Sequence, residues 1–255
     1  MLQTWSLLDQ VFTVETIMTP HDDQLLVWSG SESIEAIWQK ATQLRIDTVP
    51  VTENGAITAV LKQGSNQSLP LTPNWLISRD TSIPELLKLF VTNGQTCLFV
   101  FYKQEVIGLV TPSDLNKLPA CTYFYNLLAE LEILIASHAK QHLGQLDEDD
   151  LAQLEHKSES EELSKQLEKS NLGIDPIHTL SLSDLVNIIS RSEALYRKLG
   201  FNSSSQVLKN LGGLVALRNQ IMHPVRRVLD DSQDINKLNE RIQRALHLIN
   251  QWKEI

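Results

Sequence analysis

The hydrophobic positions of the first 118 residues recur. Residues 31–65 and 80–114 align without gaps at an offset of 49. Ser33-Ile34 falls on Ser82-Ile83, Ile37 on Leu86, Val49 on Leu98, Val51 on Val100, and Ala59-Val60-Leu61 on Gly108-Leu109-Val110. Each copy predicts the same order of elements. A short apolar strand (Leu25–Trp28, Leu76–Ile77) leads to a turn at Ser33 or Ser82. Apolar residues at helical spacing then predict helices over Ile34–Leu44 and Ile83–Asn93. Strands follow at Thr48–Val51 and Leu98–Phe101, then tight turns at Glu53-Asn54-Gly55 and Lys103-Gln104-Glu105. Second strands lie at Ile57–Leu61 and Val106–Val110. A helix starts near Ser113 in the second copy. Neither unit of about 50 residues has much core of its own, so the two are expected to pack on each other.

After Pro119 the beta-type turns vanish and helical periodicity dominates. Helices are expected over Tyr123–His142, Leu146–Lys169, Ser181–Leu199, Ser205–His223 and Ile235–Trp252. The second is acidic, and its middle, Glu155–Glu162, reads as a solvated stretch. Ser181 and Asp184 form a capping signal, Gly200 stands where a helix would end, and Pro224 stops the fourth helix. The expected fold class is α+β. A repeated β-α-β-β-α pair covers residues 10–118, and an all-α, antiparallel bundle covers 119–255, joined at Pro119.

Composition narrows the class without naming a function. The chain has 255 residues, 42% of them hydrophobic and 21% charged, which suits a globular protein with a real core. No apolar run approaches the roughly 18 residues of a membrane span, and the start lacks a secretory pattern. Cys97 and Cys121 have no metal-ligand spacing. His138 and His142 stand at i and i+4 without a third ligand, so no metal is expected. A reduced, cytoplasmic setting away from membranes is the expectation. The net charge of −9 argues against broad nucleic-acid binding. It is unevenly spread: residues 1–118 carry 7 basic and 12 acidic side chains, whereas residues 201–255 carry 8 and 5. An anionic partner is therefore to be sought at the C-terminal end.

Two stretches carry candidate chemistry. The first is Gly108-Leu109-Val110-Thr111-Pro112-Ser113-Asp114, with Ile17-Met18-Thr19-Pro20 as a lead-in. The order of elements and these residues resemble the tandem cystathionine-beta-synthase (CBS) domain pair over roughly residues 10–118. The resemblance implies an adenine-nucleotide ligand: AMP, ATP or an S-adenosyl compound. Thr111 and Asp114 match the family's ribose- and phosphate-binding positions, and the ligand site would include Ile77, Gly108, Thr111, Ser113 and Asp114. An aspartate can accept hydrogen bonds from both ribose hydroxyls, and a helix start offers free N–H groups to phosphate. The same four residues also make a good helix start with no ligand at all: Thr as N-cap, Pro at the first position, Asp in the first turn. In the first copy Lys62 and Ser65 stand where Thr111 and Asp114 stand in the second, which puts a second equivalent site in doubt.

The second stretch is Leu217-Arg218-Asn219-Gln220-Ile221-Met222-His223-Pro224. On a regular helix Arg218 and His223 lie about 140° apart, whereas Asn219 and His223 share a face. Arg226 and Arg227 add charge just beyond. The spacing resembles the Arg-x4-His motif of HEPN (higher eukaryotes and prokaryotes nucleotide-binding) helical domains, over about residues 119–255. That resemblance implies a metal-independent endoribonuclease acting as a homodimer, with Arg218, Asn219 and His223 as catalytic residues and RNA as substrate. It also suggests a toxin–antitoxin setting with a neutralising partner protein. Other members of that family keep the fold without activity. The alternative is then a non-catalytic nucleotide sensor or scaffold, with Arg218 paired to Glu130 or Glu132 and His223 serving the helix end.

Overall fold

A computed structural model describes residues 4–22, 25–140, 180–223, 226–230 and 234–254. The helix expected over Leu146–Lys169, its stretch Glu155–Glu162, and His142 and Pro224 lie outside the described residues. The chain divides into two compact units: Met1–Tyr123 with Leu229–Asn239, and Phe124–Val228 with Glu240–Ile255.

The first unit is mixed. Helices α1 (Thr4–Val11) and α2 (Val14–Ile17) precede strand β1 (Thr19–Pro20). The first repeat supplies α3 (Ile34–Gln43), β2 (Thr48–Glu53), β3 (Ala56–Lys62) and β4 (Leu69–Pro70). The second supplies β5 (Leu76–Ser78), α4 (Ile83–Asn93), β6 (Leu98–Tyr102) and β7 (Glu105–Val110). The strands form one sheet in the order β1-β7-β6-β5 and another in the order β2-β3-β4. Among the described strands only β5 and β6 pair in parallel, and α4 makes the crossover between them.

The repeat survives in backbone detail. The β2–β3 ladder shifts register between Val51 and Thr52, and the β6–β7 ladder shifts between Val100 and Phe101. Those bulges fall at the same offset as the sequence repeat, so the backbone as well as the hydropathy is duplicated. The hairpin turns differ in residue but not in need: Asn54 (φ 52°) with Gly55 (φ 82°) in the first, Lys103 (φ 56°) in the second. One core cluster draws Ile57 and Val60 from the first copy and Cys97, Phe99 and Leu109 from the second, with Trp75 between. Neither copy would bury those side chains alone.

Two expectations need correction here. Leu25–Trp28 is not a strand; only Trp28 bridges, in parallel, to Val51. The helix expected near Ser113 is a short 3₁₀ turn, Pro112–Asn116, after which Lys117 is extended and α5 (Leu118–Lys140) begins. Pro112 has no N–H to offer, and the turn is too short to present a long helix start.

The second unit is helical. It takes α5 from Phe124 onward, then α6 (Leu182–Arg191), α7 (Glu193–Lys198), α8 (Ser204–Ile221) and α9 (Ile235–Trp252) from Glu240 onward. The capping box at Ser181 is present. Asp184 Oδ2 accepts the Ser181 N–H at 3.0 Å, and Ser181 Oγ accepts the Asp184 N–H at 3.2 Å. The helix expected over Ser181–Leu199 is broken at Ser192 (φ −92°, ψ 105°), whose hydroxyl accepts the Leu195 N–H and restarts the chain as α7. A serine that caps forward competes with continuing the helix behind it. Gly200 holds φ +85°, and a Cβ there would meet Gln251 at 2.6 Å.

Candidate functional site

The motif at the end of β7 is built by three local constraints. The first is Gly108, which pairs with Pro20 across the β1–β7 ladder. A Cβ on Gly108 would stand 2.5 Å from the Thr19 carbonyl oxygen. Glycine here admits the lead-in strand; the residue shapes the site and offers no group to a ligand. The second constraint is the cap. The Asp114 carboxylate Oδ2 accepts the Thr111 N–H at 2.7 Å and the Thr111 hydroxyl at 2.9 Å. Thr111 Oγ1 also lies 2.7 Å from Ser113 Oγ. The third is Lys117. Its ammonium reaches Asp114 Oδ1 at 2.8 Å and donates to the carbonyl of Ile17 at 2.6 Å.

Asp114 is buried and both its oxygens are engaged. Thr111 and Asp114 are thus brought together as the capping reading requires, and Ser113 presents its hydroxyl at the surface beside them. Ile77 is buried in the middle of β5, with little surface for a ligand. A ribose taking Asp114 Oδ1 must share it with, or displace, the Lys117 ammonium. Lys117 was legible as an i+3 neighbour of Asp114, but its hold on the Ile17 carbonyl was not.

At the matching place in the first repeat the chemistry differs. The Lys62 ammonium lies 4.5 Å from the Trp75 ring centroid and 3.3 Å from Gln95 Oε1. Ser65 closes a local turn on Gln67. Asp47 and Thr96, which are equivalent positions of the two copies, meet at 3.2 Å. Cys97 sits beside this contact. Burial, then the nearby Asp47 and Asp114 carboxylates, push its thiol up to about 12, so it stays protonated at neutral pH.

In the helical unit, Arg218, Asn219 and His223 stand at the end of α8. Arg218 is partly buried, and its Nε faces Glu132 Oε2 at 3.6 Å. Glu132 is the partner among the two glutamates considered; Glu130 pairs instead with Lys253. Burial raises the Glu132 carboxyl above its ordinary value, and Arg218 opposes that rise. Asn219 is exposed, with its Oδ1 3.5 Å from Arg218 Nη1. The helix ends at Ile221. His223 lies in the bend beyond, exposed, its N–H donating to the Gln220 carbonyl at 3.2 Å. Arg226 and Arg227 follow, both exposed. Within one chain the three residues share the end of α8, but only Arg218 and Asn219 touch.

Among the described residues no group of three or more His, Cys, Asp or Glu side chains is arranged to hold a metal ion. No described helix is long and apolar enough to cross a membrane.

Against known proteins, residues 68–120 match the model of the CBS domain family. The second repeat is a CBS domain. No curated protein matches the chain. Several solved structures are similar to part of the chain. The CBS domain of a bacterial CNNM/CorC family Mg2+ transporter in complex with ATP is 18% identical, with a TM-score of 0.35, covering 43% of this chain and 87% of that one. CBSX2 in complex with AMP is 15% identical, with a TM-score of 0.34 and coverage of 40% and 91%. A CBS domain protein from Shewanella oneidensis MR-1 is 22% identical, with a TM-score of 0.32 and coverage of 40% and 92%. By the match over residues 68–120 and its own elements, the chain is an α+β protein with a CBS-like N-terminal domain and a helical C-terminal part.

Proposed function

We propose that this protein is an adenine-nucleotide-responsive regulator whose helical part is a candidate metal-independent endoribonuclease acting as a homodimer. The observation that carries the sensing half is the buried Asp114 carboxylate at the end of a CBS domain. One of its oxygens is fixed by Thr111, and the other is held by the Lys117 ammonium, which also donates to the Ile17 carbonyl. CBS domains commonly sense adenine nucleotides as regulators. Thr111, Ser113 and Asp114 would hold the ribose and phosphate, and Ile77 and Gly108 shape the floor. The ligand supplies binding energy that prefers one arrangement of the protein over another.

Exposed His223, just past the end of the helix that carries Arg218 and Asn219, supports the output half. One imidazole takes the proton from a ribose 2′-hydroxyl as its oxygen bonds to the adjacent phosphorus. The P–O5′ bond breaks, and a second imidazole gives a proton to the leaving oxygen. The products are a 2′,3′-cyclic phosphate and a free 5′-hydroxyl. Guanidinium charge from Arg218 stabilises the phosphorane. One chain has one such histidine here, so the second comes from the other protomer. A neutralising partner protein and a toxin–antitoxin setting belong to the same reading, as does a cytoplasmic location.

The Arg218–Glu132 pair favours a second reading, in which the bundle only dimerises or binds a partner protein. A guanidinium held by a carboxylate is less available to a phosphate. RNA cleavage by wild type, Arg218→Ala and His223→Ala, with and without ATP or AMP, separates the two. Cleavage that ends in a cyclic phosphate and is lost in both variants, with fold and oligomer intact, supports the nuclease. No cleavage under any nucleotide leaves the scaffold.

A further inference from the structure

Three cations of the helical unit have no carboxylate partner among the described residues: Lys209 on α8, and Arg241 and Arg244 on α9. Arg226 and Arg227 share that condition. Every other guanidinium or ammonium with an ion pair in this unit, such as Arg197, Arg218 and Lys253, faces an acid. Glu240, one turn before Arg244, makes no ion pair with it. In a chain of net charge −9, cations gathered on one seam with no carboxylate partner among the described residues make an anion-binding surface.

Two close approaches orient the helices, one just before α8 begins and one on it. An added Cβ on Gly200 would meet Gln251, and one on Gly213 would meet Arg241 Nε at 3.4 Å. The chain positions therefore run in opposite senses, and α8 lies antiparallel to α9. Lys209, one turn before Gly213, and Arg244, nearly one turn after Arg241, fall on the same side of the Gly213–Arg241 contact. On α8 the positions Lys209, Gly212, Ala216 and Asn219 are exposed and share one face, with nothing larger than alanine between Lys209 and Asn219, and exposed His223 follows in the bend past Ile221. From Gly213 to Ile221, the last residue of α8, is about 12 Å at 1.5 Å per residue, and His223 lies two residues beyond.

We propose that Lys209, Arg241 and Arg244 form a phosphate track that holds single-stranded RNA along the α8–α9 seam and leads it to His223. The small residues on α8 let the backbone approach, and the cations replace its counterions. This rests on the reading of RNA as the substrate and names the residues that would bind it away from the reacting phosphate.

The test is binding of a fluorescent 2′-O-methyl RNA 20-mer, which cannot be cleaved through its 2′ position, to the full chain by anisotropy across KCl concentrations. The Arg241→Gln/Arg244→Gln double variant should bind about tenfold more weakly at low salt. Its slope of log Kd against log salt should fall by about 1.4, at about 0.7 for each lost phosphate contact on a single strand. Lys40→Gln/Lys103→Gln, an equal change of net charge on the other unit, should leave both unchanged. Arg241→Lys/Arg244→Lys should restore the slope, which separates lost charge from a damaged fold. Equal losses in both Gln variants, an unchanged slope, or a variant that alters only the oligomeric state in sedimentation would overturn the track. Wild-type binding through the track with no cleavage of ordinary RNA would overturn the nuclease and leave the track standing. Cleavage that persists in the double variant with unchanged RNA affinity would do the reverse.

Discussion

The two repeats share a skeleton and differ in chemistry. Both place a helix before a hairpin, both bulge the hairpin at the same step, and both turn it through a residue of positive φ. Beyond the last strand they part. The second copy closes on Thr111–Asp114 with a buried carboxylate. The first closes on Lys62, laid over Trp75, and on a serine turn. Duplication preserves what the core needs, because hydrophobic spacing and turn geometry are set by packing. The polar residues at the strand end are free of that demand, so only the second copy carries a buried carboxylate there.

Substitutions at paired positions sharpen this contrast. The largest expected effect on stability is at Gly108, where the first copy already carries Ala59. Gly108→Val should cost about 1–3 kcal/mol through the clash with Thr19, measured by urea unfolding, because a backbone atom and not a flexible side chain stands in the way. The reverse change, Ala59→Gly, should cost less, about 0.5–1 kcal/mol, from backbone entropy alone. Lys62→Met should cost about 0.5–1 kcal/mol by losing its place over Trp75, with no change in nucleotide affinity. A similar loss of affinity there and at Asp114 would erase the distinction between the copies. The smallest effect is a rate. Cys97 is buried and its thiol is pushed up to about 12, so below that pH it is protonated and iodoacetamide should not label it in the folded protein. Mass spectrometry that found Cys97 modified at pH 8 as readily as after unfolding would show the shared core to be open.

Most of the first unit was legible because its elements are short-range. Apolar alternation and the Asn54-Gly55 turn fix the hairpin, and helical spacing fixes α3 and α4. Leu25–Trp28 misled because an apolar run looks the same whether or not a neighbouring strand pairs with it. The break at Ser192 was missed because Ser192 stands in a continuous helical pattern, and only its cap on Leu195 reveals the restart. The cap between Thr111 and Asp114 could be read, since it spans three residues. The hold of Lys117 on Ile17 and of Asn116 on the Leu229 backbone spans about 100 residues, and no local pattern carries it. The choice of Glu132 over Glu130 for Arg218 likewise depends on which face of α5 meets α8.

The proposed sensing role depends on Asp114 as the single ribose-binding carboxylate. Calorimetry of the full chain with ATP and with AMP tests it directly. The prediction is one nucleotide per chain, with affinity weakened about tenfold or more in Asp114→Asn, the size expected for lost hydrogen bonds to a charged group, and unchanged in Lys62→Met. Two nucleotides per chain, or equal binding by Asp114→Asn and wild type, would contradict it.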